Sequence, residues 1–486
     1  MKRAVAIALT ASLAGCTVGP NYRQPPVLSG AVAPPVLAGG REAAYDGVAP
    51  LPPHWWQLYD DPMLNDLEEK ALARNTDLRV ALASLEQAQA ALRGVQLQRT
   101  PQTSLAIEPS YGQASGDSKG SSVALKPGAV YEAMGTISYD LDLFGKLRRS
   151  IEASKADVGA AQAALDLARV NVAAQTAGAY ASVCSAGLRI AVTHRSIAIA
   201  QQSLDVTQRR FDAGIAGIND VVRARTLLRQ TAATLPALIT QQRSGLYMLA
   251  TLTGDAPEAF PAAVATCSSP PLIRKPVPIG DGAALLARRP DVRQAERKLA
   301  AAVAAIGVST ASLYPSISLG GSIGTIATSL PDIVSNRAFQ WNVGPLVTWN
   351  IPNLGPARAQ VAQSNAAARG ALASFDGTVL TALRETETSL TTLARELDTE
   401  RQLADARDDA ATANANTARL YAGGIGEFLD TLDAERTLIE AENALASTTA
   451  QVSQDQIALF MALGGGWQDS PAVIGTSLTQ VTDKPH

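Results

Sequence analysis

Charged, aromatic, histidine and cysteine residues are all scarce in this chain of 486 residues. Charged side chains make up 17% and aromatic ones 5%, and there are three His and three Cys. The 41 basic and 44 acidic residues nearly balance, whereas nucleic-acid-binding surfaces usually carry a net positive charge. So few ligands and bases do not favour a metal site or histidine-dependent catalysis. We therefore expect no enzyme, no metal or cofactor, and no nucleic-acid partner.

Long apolar runs are limited to one at the N-terminus, which is shorter than the roughly 20 residues that a membrane-spanning helix needs. Lys2 and Arg3 precede it, and Leu-Ala-Gly leads from it to Cys16. This pattern is typical of a signal peptide over residues 1–15. The end of the run resembles a bacterial lipobox, which implies cleavage before Cys16 and acylation there, with a plain signal peptide as the alternative. Thr17, rather than Asp, favours sorting to the outer membrane by analogy with other lipoproteins.

Proline is concentrated in residues 16–60, where eight prolines fall between Pro20 and Pro53. Because proline fixes φ and lacks an N–H group, this segment is expected to be extended and irregular. We interpret it as a lipidated tether that runs along the folded body, with a free disordered linker as the alternative.

The rest of the chain repeats itself at offsets of 210 to 214 residues. Asp-Leu-Arg at 77–79 recurs as Asp-Val-Arg at 291–293, and Phe-Asp-Ala-Gly-Ile at 211–215 matches Tyr-Ala-Gly-Gly-Ile at 421–425. The matches keep their order, which favours a duplication. The predicted divisions are a first repeat at 61–270, a second repeat at 271–468 and a C-terminal tail at 469–486.

Each repeat is predicted to contain a helix, two strands and a long helical hairpin. The leading helices are expected at residues 65–98 and 281–312. The strands are expected at residues 103–112, 130–141, 315–326 and 338–350. The long helices are expected at residues 150–212, 217–252, 356–421 and 426–463. Residues 155–210 hold no proline, and at about 1.5 Å per residue they would extend on the order of 80 Å as a helix.

The strands alternate polar and apolar side chains, most clearly from Phe339 to Trp349. Period-two alternation over roughly ten residues, with aromatic residues at both ends, is typical of a membrane-spanning β-strand. Four strands cannot close a barrel, and an open edge in lipid is costly. Membrane-spanning strands would therefore require several chains to share one barrel. A half-buried sheet of a soluble protein is the alternative.

Several short motifs add to this pattern. They are Leu-Ala-Gly-Cys at 13–16, Val-Gly-Pro-Asn-Tyr at 18–22, Trp-Trp at 55–56, Asp-Pro-Met-Leu at 61–64, Leu-Ala-Arg-Arg-Pro-Asp-Val-Arg-Gln-Ala-Glu at 286–296, Tyr-Ala-Gly-Gly at 421–424 and Leu-Asp-Thr-Leu-Asp-Ala-Glu at 429–435. With these motifs the chain resembles the TolC-like outer-membrane efflux proteins, specifically the OprM/NodT lipoprotein branch, over nearly its whole length.

The resemblance implies a mainly α fold with a transmembrane β-barrel. Three chains would form a homotrimer with a 12-stranded barrel in the outer membrane and an α-helical tunnel in the periplasm. The trimer would dock with a periplasmic adaptor (membrane fusion) protein and an inner-membrane pump of the resistance-nodulation-division type. It would act as a passive conduit for drugs or other toxic solutes. The alternatives are the exit duct of a type I protein-secretion system and a lipoprotein coiled-coil scaffold without a pore.

Glycines interrupt both long hairpins, where positive φ angles permit a tight reversal. The resemblance places these turns at the periplasmic tip that contacts the adaptor, and the alternative is that they are turns only. The glycines concerned are Gly214, Gly217, Gly423 and Gly424.

Asp430 and Asp433 are three residues apart and share a helix face. The resemblance implies that they line the narrowest point of the tunnel as rings of negative charge, which favour cations. An ordinary solvated helix face is the alternative. It also implies that Tyr421 and Asp220 link neighbouring helices in a periplasmic gate. Because Gly426 stands where TolC has Arg, another contact must keep the tip closed.

Two cysteines remain besides the lipidated one. In the oxidising periplasm Cys184 and Cys267 are expected to pair as a structural disulfide, and two free thiols are the alternative.

Overall fold

The computed structural model describes residues 17–25, 37–113, 115, 122 and 126–474. The predicted signal peptide at 1–15, the predicted lipidation site Cys16 and the part of the tail from residue 475 onward lie outside the described residues.

Helices dominate the described residues, and the prediction of a mainly α chain is confirmed. In chain order the elements are β1 (Tyr45–Asp46), α1 (Pro62–Arg74), α2 (Thr76–Leu97), β2 (Gln102–Gly112), β3 (Gly128–Asp140), α3 (Lys146–Asp212), α4 (Ile218–Ala232), α5 (Leu235–Leu252), α6 (Ala262–Ala265), β4 (Val277–Pro278), α7 (Gly282–Arg288), α8 (Pro290–Ala311), β5 (Ser316–Ala327), β6 (Phe339–Thr348), α9 (Gly355–Ala422) and α10 (Phe428–Ala462). No helix in the described parts of the chain is long and apolar enough to cross a membrane.

The chain divides into two compact units. The first comprises Met1–Gln24, Leu85–Ala161 and Ala295–Phe375, and its described part holds the larger sheet. The second comprises Pro25–Ser84, Gln162–Gln294 and Asp376–His486, and its described part holds both hairpin turns and the short parallel pair of β1 with β4.

The larger sheet is antiparallel, with the strand order β2-β3-β5-β6. Leu105 lies opposite Gly135, Gly135 opposite Ile323, and Ile323 opposite Trp341. Odd-numbered residues therefore share one face across all four strands, and that face is largely apolar. Its exposed members include Ile107, Tyr111, Ile137, Tyr139, Leu319, Phe339, Val343 and Val347.

The even-numbered face of the sheet is largely polar, and its side chains bond across strands. The hydroxyls of Ser104 and Thr136 lie 2.7 Å apart, and Asn342 Nδ2 donates to Ser322 Oγ at 2.7 Å. In the chain's own sheet, β2 and β6 form the two edges, and their side chains are almost all exposed. The sheet thus has one apolar face, one polar face and two edges free to pair.

The N-terminal segment packs against the first unit where the strands give way to helices. Arg149, in the first turn of α3, donates to the carbonyl oxygens of Val18 and Gly19 and to Asn21 Oδ1. Val18 N donates to Phe144 O at 3.3 Å, and Tyr22 Oη donates to Glu296 Oε1 at 2.7 Å. The described residues that follow position 16 are therefore attached close to the end of β3.

The predicted leading helices at 65–98 and 281–312 are wrong in one respect, because each is two helices. The first breaks at Asn75, whose Oδ1 accepts from Asp77 N and whose Nδ2 donates to Leu252 O at the end of α5. The second breaks at Arg289, whose Nη1 donates to Ala462 O at the end of α10. In both repeats, a side chain at the break caps the returning helix of the hairpin, whose last carbonyls lack helical partners.

The predicted long helix at 217–252 is also wrong, since it is two helices separated at Ala233 and Thr234. Pro236 explains the break because it lacks an N–H group and its ring clashes with the carbonyl four residues earlier, at Ala232, where α4 ends. The matching residue of the second repeat, Ala446, is buried in α10, which is continuous from Phe428 to Ala462.

Candidate functional site: the turns of the two hairpins

The two hairpin turns have the same backbone hydrogen bonds. In the first turn, Ile215 N and Ala216 N both donate to Arg210 O. In the second, Ile425 N and Gly426 N both donate to Leu420 O. These are the bonds of a helix C-terminus closed by a left-handed residue.

Glycine provides the left-handed residue in each turn. Gly214 has φ of +75° and Gly424 has φ of +79°. Gly217 is instead the N-cap of α4, and its N–H group donates to Asp220 Oδ2 at 3.3 Å. Gly423 continues the helical bonding of α9 by donating to Arg419 O. The four predicted tip glycines therefore lie at the turns, but only Gly214 and Gly424 require glycine for a positive φ.

Tyr421 lies in the second turn and is buried, with 6% of its surface exposed. The guanidinium carbon of Arg210 lies 4.3 Å from the centre of its ring, and Arg210 Nη1 donates to its backbone oxygen at 2.7 Å. The ring of Phe428 lies 5.9 Å away on the other side of the turn. The Tyr421 hydroxyl is buried and has no hydrogen-bond partner among the described residues.

A small cluster of buried apolar side chains packs between the helices of the two hairpins, next to their turns. Its buried members come from both repeats and are Ala200, Ala224, Leu227, Tyr421, Phe428, Leu432 and Ile439. Since these residues lie on α3, α4, α9 and α10, the four helices that meet at the turns share one core.

The predicted gate carboxylates lie in different settings. Asp430 and Asp433 are both exposed on the first two turns of α10. Asp220 is half-buried and accepts from Gly217 N in its own turn. The structure therefore brings Asp430 and Asp433 onto one face, while Asp220 serves as part of a helix cap within this chain.

Glu435 is a buried carboxylate close to the turn that the sequence analysis missed. Only 5% of its surface is exposed, and its Oε2 atom has no hydrogen-bond partner among the described residues. Burial raises the pKa of this carboxyl to about 7, and a hydrogen bond from Ser203 offsets part of the rise. One heptad further along the same helix pair, Ser196 Oγ donates to Glu442 Oε2 at 3.4 Å.

Arg210 is the second residue that sequence reasoning missed. Its contact with Tyr421 joins residues 211 positions apart, so no local pattern could show it. A usable signal was the duplication itself, because Arg210 aligns with the apolar Leu420 in otherwise matching turns. A charged residue in one turn, where the matching residue of the other turn is apolar, favours a contact that occurs in one repeat only.

Cys184 and Cys267 are joined by a disulfide that ties the middle of α3 to the segment after α6. Cys184 is fully buried. Gly187 lies one helical turn further along α3, where a Cβ would overlap the carbonyl oxygen of Cys267. Glycine at this position therefore lets the segment after α6 lie directly against the helix.

Comparison with known proteins identifies the class. The family model of outer membrane efflux proteins matches residues 67–255 and 283–465. Nodulation protein T of Rhizobium leguminosarum bv. viciae is 28% identical over 96% of this chain and 94% of its own length. Outer membrane protein OprJ of Pseudomonas aeruginosa is 30% identical over 97% of each chain. Among solved structures, the outer-membrane channel OprN aligns with a TM-score of 0.86 and 35% identity, over 93% of this chain and 100% of OprN.

Duplicated helical hairpins, each following two strands of a sheet with one apolar face, define a class of outer-membrane channel. The chain belongs to the outer membrane efflux protein family. It is an outer-membrane protein, and the resemblance to TolC-like proteins is confirmed.

Proposed function

We propose that three copies of this chain form a passive conduit from the periplasm to the exterior. Each copy would contribute its four strands to a 12-stranded barrel in the outer membrane and its two hairpins to a periplasmic tunnel. The conduit would expel drugs or other toxic solutes as part of a tripartite efflux system. Its energy would come from an inner-membrane pump of the resistance-nodulation-division type.

The observation that carries this proposal is the pairing pattern of the sheet. The edge strands β2 and β6 run in opposite directions, so β6 of one copy can pair antiparallel with β2 of the next. Odd-numbered residues share the apolar face on both strands, so the closed ring keeps one face towards lipid and one towards the lumen. Closure also satisfies the edge N–H and C=O groups, which is required in lipid.

The hairpin turns supply the surface proposed for the periplasmic adaptor. Ile215 and Ile425 occupy matching positions in the two turns and are 67% and 82% exposed. Paired apolar side chains at the ends of the hairpins are suited to an adaptor that presents apolar residues of its own. Two similar turns per chain would give a trimer six such positions.

Lipid on Cys16 would add a second attachment to the membrane. Residues 18–22 are bonded near the end of β3, so an acyl chain on the preceding cysteine would start close to where the strands end. Since several acyl chains anchor stably, the lipid would hold the chain at the membrane independently of barrel closure.

Asp430 and Asp433 are proposed to form rings of negative charge near the closed end of the tunnel. Both side chains are exposed in the single chain, which leaves them free to face a lumen. Three copies would place six carboxylates around one axis and focus positive charge there.

The test combines mass and conductance measurements. Light scattering of the purified chain in detergent should give three copies, and planar bilayers should show discrete channels. Replacing Asp430 and Asp433 together with Ala should weaken block by divalent cations without changing the oligomer. A monomer without channel activity would contradict the proposal. A conducting trimer whose block is unchanged by the double substitution would contradict only the charged rings.

A further inference from the structure

Arg210 links the ends of the two outbound helices, α3 and α9. It lies in the last turn of α3, while its partner Tyr421 lies in the last turn of α9. The guanidinium group makes two separate contacts, one with the face of the ring and one with the backbone oxygen. No ion pair of Arg210 occurs in the described part of the chain, so these contacts are not diverted by a carboxylate.

Both contacts are suited to hold a helix end. A cation over an aromatic ring is attracted by the negative potential of the ring face. The carbonyl oxygens in the last turn of a helix lack helical partners and carry partial negative charge, so a cationic donor stabilises them. Arg210 thereby restrains both the side chain and the backbone at the position where α9 turns towards α10.

The Arg210–Tyr421 contact has no counterpart in which the second repeat supplies the cation and the first supplies the ring. The residue that corresponds to Arg210 in the second repeat is Leu420, which is 50% exposed. The residue that corresponds to Tyr421 is Phe211. The first repeat therefore supplies the cation and the second repeat supplies the ring and the carbonyl.

We propose that Arg210 is a positioning residue of the periplasmic gate, which it holds closed by fixing Tyr421. Tyr421 also packs on Phe428, which begins α10 two residues before Asp430. A restraint on Tyr421 is thus transmitted to the helix that carries both aspartates. This proposal rests on the proposed conduit function, and it supplies the contact that Gly426 cannot make.

The Tyr421 hydroxyl distinguishes two kinds of gate. A gate held by Arg210 needs the tyrosine ring and its backbone oxygen, whereas a gate held by a tyrosine–aspartate link needs the hydroxyl. That hydroxyl has no partner among the described residues, whereas the ring and backbone oxygen are both engaged by Arg210. Tyr421→Phe keeps both contacts and should leave the gate unchanged. Tyr421→Leu removes the ring and should open it.

The experiment records time-averaged conductance in planar bilayers for a matched set of variants. Arg210→Leu should raise the conductance by at least about tenfold, because it removes one cation–π contact and one charged hydrogen bond. Arg210→Lys should restore most of the closed state, because a lysine retains a cation and a donor. Arg209→Leu is the control, since Arg209 is the exposed neighbour on the same helix turn.

Amide hydrogen exchange of the same variants provides a readout that does not depend on conduction. Arg210→Leu should accelerate exchange at residues 208–216 and 418–426, and Arg209→Leu should not. If the parent conducts but Arg210→Leu leaves its conductance unchanged, the gate role is overturned whatever the exchange shows. An opening effect of Tyr421→Phe would also overturn it, in favour of a hydroxyl link. If no protein in the set conducts, including the parent, the conduit function itself fails.

Discussion

The two hairpins of this chain share a backbone but differ in chemistry. Their turns use the same hydrogen bonds and a left-handed glycine at the same position. Their side chains diverge, since Arg223 and Arg225 of the first repeat correspond to Asp433 and Glu435 of the second. The first hairpin is thus basic beyond its turn, where the second is acidic.

The hairpins also differ in the continuity of their returning helices and in the presence of a disulfide. The returning half of the first is broken before Pro236, and its hairpin region carries the disulfide. The returning half of the second is one continuous helix with no cysteine. After a duplication, positions that set the backbone resist change, whereas positions that face solvent or a partner can take on separate roles. The proposed gate residues Arg210, Asp430 and Asp433 belong to the second group.

The largest expected effect on stability comes from placing a proline in α10 at the position that matches Pro236 of the first repeat. Ala446→Pro would place proline inside α10, remove a helical hydrogen bond and create a clash, at a cost of about 3 kcal/mol or more. Pro236→Ala should change stability by less than about 1 kcal/mol, because α4 already ends there. Thermal unfolding followed by circular dichroism would measure both. Equal effects of the two substitutions would mean that the break is not set by proline.

The next effect concerns the side chains that cap the returning helices. Arg289→Ala should cost about 2 kcal/mol, because it removes the bond to Ala462 O and the ion pairs with Asp291 and Glu385. Asn75→Ala removes three neutral hydrogen bonds, one to Leu252 O and two from Asp77 N and Leu78 N, and should cost about 1 kcal/mol. Amide exchange should accelerate at the end of α10 in the first variant and at the end of α5 in the second. Acceleration at the wrong helix end in either case would refute the paired caps.

A smaller effect is expected from the buried carboxyl of Glu435. Its pKa is about 7 in the folded chain, above the ordinary value of 4.5. The folded state therefore binds the proton more tightly than the unfolded chain. Stability is full below about pH 4.5 and falls as pH rises towards 7. The full shift would correspond to about 3 kcal/mol, and local relaxation should reduce the loss to about 1 kcal/mol.

Glu435→Gln should remove this pH dependence. The variant should match the parent at pH 4.5 and melt at a higher temperature than the parent at pH 8. Glu440→Gln is the matched control, because Glu440 is exposed on the same helix. A parent whose melting temperature does not fall between pH 4.5 and 8 would show that Glu435 is hydrated.

Much of the architecture could be predicted from the sequence. The duplication, the strand alternation and the glycine turns are all local or periodic signals, and the strand bounds differ from the predicted ones by at most two residues. The break before Pro236 was also accessible, since an interior proline ends a helix. The Ala-, Gln- and Leu-rich pattern continues across this break and hides it.

The break at Arg289 was accessible in the same way, because Pro290 disfavours a helical backbone at the residue before it. What could not be predicted is the bond that each break residue makes to a helix end more than 170 residues away. The Arg210–Tyr421 contact and the burial of Glu435 depend on how α3, α9 and α10 pack. The Arg-Arg-Pro-Asp motif was recognised from the resemblance, but its capping role emerged only from the structure.

The conduit itself is tested most directly by thiol modification of neighbouring sheet residues. Ser322 lies on the polar face of β5 and Ile323 on the apolar face. Cysteine would replace each in turn, and a charged, membrane-impermeant thiol reagent would be added during bilayer recording. Ser322→Cys channels should lose conductance on modification, and Ile323→Cys channels should not respond. A response from Ile323→Cys alone, or from neither variant of a conducting parent, would contradict a lumen lined by the even-numbered face.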